Sequence, residues 1–150
     1  MKSSFYLLLV VFFSVSAGCS KSSSGDTTSN NNPDPNQIVM NGTWTISSYS
    51  QRTEDKTSLF KDYIFTFSAG SVLKIAHNAA DVNGTWSYIP ASVGYYGSGG
   101  SSAAFNLNAG SADPLIRLNG TWNINSISTS NISLVNPEPA DNEQLVFTKQ

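Results

Sequence analysis

The sequence predicts an all-β domain, an antiparallel up-and-down meander of about eight or nine strands that closes into a barrel. A two-sheet β-sandwich is the alternative. Three observations support this prediction. Large apolar side chains alternate with polar ones at period two, Asn-Gly pairs typical of hairpin turns occur at three places, and no stretch has the periodicity of an amphipathic helix. Residues 58–61 alone could form a single helical turn.

The chain opens with signals for export and lipid attachment. Lys2 precedes an apolar run at 5–15, and the small residues 16–18 lead directly to Cys19. The apolar run is too short to span a bilayer as a helix. Small residues before a cysteine resemble the bacterial lipoprotein signal, although Ser16 stands where that signal usually has leucine. The resemblance implies cleavage of 1–18 and acylation of Cys19; a secretory signal with an incidental cysteine is the alternative.

This resemblance also implies a location. Two or more acyl chains hold a protein stably on a membrane. Ser20 follows the cysteine, which favours the outer membrane under the enterobacterial rule, and no acidic residue precedes Asp26. We therefore expect a lipid-anchored protein of the bacterial cell envelope, on the periplasmic face of the outer membrane rather than the cell surface.

Residues 19–37 follow as a lipidated cysteine and a tether. From residue 20 onward the tether is rich in Ser, Asn, Asp, Thr and Pro, so it cannot bury enough apolar surface to fold. A flexible coil of this length spans about 24 Å. Asp26-Thr27-Thr28 resembles a bacterial O-glycosylation tripeptide, but such tripeptides are also common by chance.

Residues 38–150 are predicted to form one domain, which we expect to be monomeric. Without Lys2 the chain has seven Lys and Arg against ten Asp and Glu, a net charge of about −3, and no basic stripe. This composition argues against a nucleic-acid partner. Cys19 is the only cysteine, so no disulfide can stabilise the fold and an apolar core must do so.

The strands are predicted from their inward-facing residues. In order these are Trp44 and Ile46; Tyr63, Phe65 and Phe67; Leu73, Ile75 and His77; Trp86 and Tyr88; Phe105 and Leu107; Leu115–Leu118; Thr121 to Ile124; Ile132 and Leu134; and Leu145 and Phe147.

Asn-Gly-Thr-Trp occurs at 41–44, 83–86 and 119–122. Each Asn-Gly is predicted to be a type I′ turn with Thr and Trp opening the next strand. In the third copy, 115–118 and 121–124 form a hairpin that places Arg117 and Trp122 on one face. The copies also match the N-glycosylation sequon, but turn geometry is the better explanation in a bacterial lipoprotein.

These patterns together resemble the lipocalin-like, calycin-type domains of small bacterial lipoproteins. The resemblance covers nearly all of 41–149 and rests on Gly42-Thr43-Trp44, Phe65-Thr66-Phe67, Gly84-Thr85-Trp86, Gly120-Thr121-Trp122 and Leu145-Val146-Phe147. It implies a barrel that binds a small apolar ligand, and a late-strand arginine packed on the first tryptophan. Arg117 could fill that role on Trp44, or stack on Trp122 instead.

The sequence offers no catalytic or metal-binding set. His77 is the only histidine and no serine nucleophile motif accompanies it. We therefore predict a protein that is not an enzyme and has no metal or cofactor. His77 is predicted to point inward near a strand end, as a structural residue or as an anchor for a ligand head group.

The predicted ligand-binding residues line the barrel interior: Trp44, Phe65, Phe67, His77, Trp86, Arg117 and Trp122. So many inward rings predict a narrow or partial pocket. Tyr95 and Tyr96 lie in a glycine-rich loop and could contact a sugar or a partner protein, or fold back on the barrel. The leading functional hypothesis is a membrane-anchored protein that binds a small apolar or amphipathic molecule. The alternative is a protein-interaction or inhibitor module of the cell envelope that uses the loops at the barrel mouth.

Overall fold

The computed structural model describes residues 33–94 and 99–150. These residues form one short α-helix, nine strands and two 3-10 helices. The elements are α1 (Pro35–Met40), β1 (Thr43–Gln51), β2 (Glu54–Asp55), a 3-10 helix (Thr57–Phe60), β3 (Tyr63–Ser68), β4 (Val72–His77), β5 (Ala80–Ile89), β6 (Ala104–Asn108), a second 3-10 helix (Leu115–Leu118), β7 (Gly120–Ile127), β8 (Asn131–Val135) and β9 (Glu143–Lys149). Within these residues no helix is long and apolar enough to cross a membrane.

Eight of the strands close into an antiparallel barrel. Consecutive strands pair from β3 to β9, and β1 pairs with β3 on one side and with β9 on the other. The β1–β9 ladder runs from Trp44 opposite Lys149 to Gln51 opposite Glu143. The short strand β2 adds only to the end of β1. The all-β fold and the closed barrel are therefore confirmed over the sandwich.

A bulge in β1 explains how the strand buries side chains both before and after the bulge. The register with β9 shifts between Ile46 and Ser48, so one extra residue is placed on the outside. Both Ile46 and Tyr49 are consequently buried, although strict alternation would put them on opposite faces.

The two ends of the barrel differ. The helix end has α1, the β3–β4 turn, the long β5–β6 connection and the β7–β8 turn. The loop end has the connections at 52–62, 78–79, 109–119 and 136–142, which contain both 3-10 helices. Phe60, Leu115 and Leu118 from these helices are buried, so the helices close this end over the core.

The predicted third hairpin is wrong. Leu115–Leu118 is a 3-10 helix rather than a strand, and Gly120 opens β7 instead of closing a turn. The Asn119 side chain accepts from the amide of Ala109 at 2.6 Å and donates to the carbonyl of Gly110 at 2.8 Å. The Asn119 side chain thus joins the two ends of the 109–119 connection. These bonds prevail over the turn preference of Asn-Gly.

The other two Asn-Gly turns are also wrong. Asn41 ends α1, and Gly42 takes a positive φ of 108° before β1 begins. Asn83 and Gly84 lie inside β5, opposite Lys74 and Leu73 of β4. Asn-Gly is a hairpin signal only where the flanking segments pair with each other, and none of these three sites has that pairing.

Helix α1 begins inside the segment predicted to be tether. Asp34 caps it by accepting from the backbone N–H of Asn36 at 3.0 Å, and Pro35 occupies its first turn. Ile38 and Val39 are buried against the barrel. The predicted boundary at residue 38 is therefore too late, because an N-cap aspartate followed by proline is itself a helix-start signal.

Candidate functional site

The barrel interior is packed with aromatic side chains. Phe65 and Phe67 both contact Phe147, with ring centroids 5.3 and 5.8 Å apart, and Phe67 lies 5.5 Å from Trp86. All of these contacts have edge-to-face geometry, which is favourable for aromatic pairs. Of the predicted interior residues, Trp44, Phe65, Phe67 and Trp122 are no more than 3% exposed. A ligand could reach them only by displacing core side chains.

Each tryptophan indole donates a hydrogen bond to a backbone carbonyl. Trp44 bonds Val39 at 2.8 Å and Trp122 bonds Leu118 at 2.9 Å, both in buried surroundings. Trp86 bonds Ser68 at 3.0 Å in a partly buried place. The first two bonds join a helical turn to the strand that follows it. The third joins β5 to the last residue of β3 at the helix end.

A cleft of about 350 Å³ opens at the helix end, and we call it the helix-end cleft. Asn36 and Met40 of α1 form one wall, residues 68–71 form the second, and Trp86, Ser87 and Tyr88 of β5 form the third. Its volume falls at the lower limit of small-molecule pockets. No lining residue is charged, so the cleft suits a neutral molecule with apolar and hydrogen-bonding parts.

Trp86 is the predicted site residue that this cleft contains. It is 5% exposed, and its ring also contacts Phe105 at a centroid distance of 5.9 Å. Tyr88 extends the same wall and contacts Phe105 at 5.7 Å. These rings therefore form an apolar surface that continues from the core to the cleft.

A polar network lies at the loop end, centred on the inward-facing carboxylate of Glu143. Its Oε1 accepts from the Tyr49 hydroxyl at 3.1 Å and from the Gln51 amide at 2.8 Å, and its Oε2 accepts from the Asn136 amide at 2.7 Å. Lys56 donates to the Gln51 side-chain oxygen at 3.0 Å. Because these groups satisfy one another, the network is suited to fastening strand ends rather than to receiving a ligand.

Two groups near this end have shifted pKa values. Burial raises the pKa of the Tyr49 hydroxyl far above its usual value, and the charge and hydrogen bond of Glu143 raise it further. Tyr49 therefore stays protonated at any physiological pH. The Thr57 hydroxyl and amide, by donating to Asp55, lower the pKa of that exposed carboxyl.

His77 occupies the last position of β4, where the sequence predicted it. Its ring stacks on Tyr63 with centroids 3.9 Å apart and planes within 9° of parallel. The neighbouring Asn78 side chain is 3.1 Å from its Nε2. His77 is thus partly exposed at the loop end, away from the helix-end cleft.

Arg117 does not lie on a strand beside Trp44 or Trp122, where the sequence predicted it. It lies in the second 3-10 helix, where its Nε donates to Asp113 at 2.7 Å. Trp44 lies near the start of β1, at the helix end of the barrel, and its partner on the last strand is Lys149. Arg117 is therefore a loop-end residue, and the predicted packing on Trp44 is wrong.

Three predicted residues lie outside the described parts of the chain. They are the lipidation site Cys19 and the loop residues Tyr95 and Tyr96. Their roles stay predictions.

No metal-binding constellation was found in residues 33–94 and 99–150, where no three His, Cys, Asp or Glu side chains cluster. The expected lack of cofactor and of catalytic activity stays a prediction as well.

Several residues of the Glu143 network and of the helix-end cleft were not predicted from the sequence. Glu143 alternates with Leu145 and Phe147, and this alternation was the signal that its side chain faces inward. Asn36 was missed because it falls in the predicted tether, and Met40, just inside the predicted domain, was missed because no helix was predicted there. Asp34-Pro35 was the available signal.

These features define a closed, eight-stranded antiparallel barrel with a filled core, consistent with a calycin-type fold. The crystal structure of a DUF4847 family protein from Bacteroides vulgatus ATCC 8482 has a similar fold. Its TM-score is 0.51 at 14% sequence identity, over 76% of this chain and 97% of that chain. At this identity the similarity concerns the fold alone. No protein-family model and no curated protein matches the sequence.

Proposed function

We propose that this protein is a lipid-anchored, lipocalin-like binding module of the bacterial cell envelope. It holds a small neutral amphipathic molecule in the helix-end cleft and has no catalytic role. The observation that carries this proposal is the lining of the cleft. Met40, Trp86 and Tyr88 offer apolar contact, while Asn36 and Ser87 offer hydrogen bonds without charge.

The lining selects the ligand class. A charged head group would lose hydration on entering without gaining an opposite charge, which is unfavourable. A molecule with hydroxyl or ester groups loses less and can bond to the serine hydroxyls. Sterols, monoacylglycerols and fatty alcohols have this chemistry.

Because the interior is packed, the helix-end cleft is a better binding site than the barrel axis. Interior side chains such as Phe65 and Trp122 are in contact with their neighbours at core density, so opening a ligand cavity there would cost several kcal/mol or more. The helix-end cleft needs no such opening.

Anchoring rests on the sequence alone. In this proposal the chain is cleaved before Cys19, acylated there, and held on the periplasmic face of the outer membrane. The intact mass of protein purified from its own host tests this directly. We expect a chain that begins at Cys19 and carries the added mass of diacylglycerol and an amide-linked acyl group. An unmodified Cys19 would remove the anchoring part of the proposal.

Ligand binding is tested by calorimetric titration with sterols, monoacylglycerols and fatty alcohols. Met40→Asp places a charge in the cleft, and we expect it to weaken binding at least tenfold. Ile116→Asp is the matched control, since Ile116 is 48% exposed at the opposite end and should leave affinity unchanged. Equal affinity of both variants, or no binding by any of these lipids, would reject the cleft as the site.

A second candidate function is docking of an envelope protein at the loop end. The observation that favours it is the exposure of Leu59 and Ile116, 39% and 48%, one on each 3-10 helix. Crosslinking in the host followed by purification should then recover one defined partner from the wild type and lose it from Ile116→Asp. Recovery of the same partner from both would exclude the loop end.

A further inference from the structure

Large apolar side chains are exposed at the helix end, and two of them lie on an extension of β5 and β6; a third, Val72 of β4, is 45% exposed. Val93 is 97% exposed and Ile89 is 40% exposed. We call residues 89–94 and 99–104 the β5–β6 arm. Isolated apolar residues on a surface are common, so the arm matters only because further features coincide with it.

The pairing register shows that the arm extends beyond its neighbour β4 on one side, whereas on the other side β7 continues beside it to Ile127. Thr85 is the last β5 residue that pairs with β4, whereas pairing with β6 continues to Ile89 opposite Ala104. This overhang is about 13 Å at the usual rise of a strand. Ser92 and Ser101 extend the ribbon further through two backbone hydrogen bonds of 3.0 Å and a hydroxyl contact of 2.8 Å.

The arm also lies within an uncharged part of the chain. Residues 82–112 contain no Asp, Glu, Lys or Arg, although charged residues make up 12% of the protein. A projecting hairpin normally carries charge that keeps it in water and prevents aggregation. An uncharged arm with exposed apolar side chains can enter the headgroup layer of a bilayer, where each charged group would be costly.

The chain that leads back to Cys19 meets the fold next to the arm. Described residues begin at Pro33, and Asn36 shares the helix-end cleft with Ser87 and Tyr88 at the base of the arm. If Cys19 is acylated, the tether therefore starts from the bilayer and arrives at this end of the barrel.

We propose that the β5–β6 arm rests in the headgroup region of the bilayer that anchors the chain, and so turns the helix-end cleft towards lipid. This inference deepens the proposed function and rests on its anchoring part. A tether of this length keeps the barrel at a high local concentration near the membrane, so two apolar side chains suffice for contact that would be weak in free solution.

The test places an environment-sensitive fluorophore on Val93→Cys of the mature chain, and on Ile116→Cys as the control at the loop end. Both chains carry Cys19→Ser and an N-terminal hexahistidine tag. They are held on phosphatidylethanolamine–phosphatidylglycerol vesicles that contain nickel-chelating lipid and a brominated phospholipid. We expect a blue shift and at least twofold quenching at position 93, and no change at position 116.

Equal quenching at both positions, or none at position 93, would overturn the proposal. So would quenching at position 93 that appears only when envelope proteins are added, because the arm would then bind a protein. The tag replaces the acyl chains, so the result is independent of acylation at Cys19, which the intact mass reports separately, and of ligand affinity.

Discussion

Gly84 shows how one residue position can be set by a distant part of the chain. It lies inside β5, where the backbone of Asn108 and Ala109 passes so closely that a side-chain Cβ would overlap the Asn108 carbonyl. Glycine is required here for close approach of two backbones, not for a turn.

We expect Gly84→Ala to destabilise the protein by about 2 kcal/mol or more, because the backbone at Asn108 must move. Gly99→Ala is the matched control, since a Cβ there has no neighbour within 4 Å, and its effect should stay within about 0.5 kcal/mol. Urea unfolding measures both. Similar midpoints for the two variants would contradict this account.

Tyr49 is expected to make the stability of the folded protein depend on pH. Its pKa is raised in the folded state, so the folded protein binds this proton more tightly than the unfolded chain. The resulting stability is complete below the ordinary tyrosine pKa of about 10 and is lost as the pH rises beyond it.

Tyr49→Phe should therefore cost about 1–2 kcal/mol at pH 7, through loss of the hydrogen bond to Glu143. The gap between wild type and variant should shrink by roughly 1 kcal/mol at pH 11. Urea unfolding of both proteins at the two pH values tests the sign. A gap that widens at high pH would show that Tyr49 does not carry the raised pKa.

At the scale of elements, two copies of Asn-Gly-Thr-Trp share one architecture. In each, a short helical turn ends, glycine takes a positive φ, and the tryptophan two residues after that glycine bonds back to the carbonyl of that turn. Gly42 and Gly120 have φ values of 108° and 126°. The motif is thus a helix-to-strand junction, and the copy in β5 resembles it in sequence only.

This junction gives a prediction at element scale. Trp122→Phe removes the only side-chain donor to the buried Leu118 carbonyl among the described contacts, and it leaves a small cavity. We expect a cost of about 2–4 kcal/mol. Trp86→Phe removes a partly buried bond that water at the helix-end cleft can replace, so it should cost less. Thermal unfolding of the two variants checks the order, and a reversed order would argue against the junction.

The strands could be predicted from the sequence and the second 3-10 helix could not, for a physical reason. Alternation predicted every strand with an apolar face, such as Phe65-Thr66-Phe67 in β3, because burial of one face dictates that pattern. It failed at Leu115–Leu118, where four residues with three apolar side chains fit a 3-10 turn as well as a strand. Only the tertiary contacts of Asn119 decide between the two.

The candidate site was less predictable than the fold. Trp86 was expected in it, but the helix-end cleft also depends on Asn36 and on the β3–β4 turn, which alternation cannot bring together. Such a cleft is created by the three-dimensional arrangement of elements, and single-sequence patterns carry no information on it.

At the scale of the whole molecule, the proposed function gives the two ends of the barrel separate roles. The loop end is closed by 3-10 helices and by the Glu143 network, whereas the helix end has the cleft, the β5–β6 arm and helix α1. In this proposal the filled core between them lends rigidity, and binding takes place at the surface.

The three tryptophans test this division of roles in one measurement. Each indole N–H gives its own NMR signal, with Trp44 and Trp122 in the closed core and Trp86 beside the helix-end cleft. During titration with a sterol or monoacylglycerol that binds, we expect the Trp86 indole signal to move while that of Trp122, whose indole bonds Leu118 at the loop end, stays in place. The Trp44 signal reports separately on α1, because its indole donates to Val39. Movement of the Trp122 signal without Trp86 would show that the ligand enters the barrel axis, and it would contradict the account.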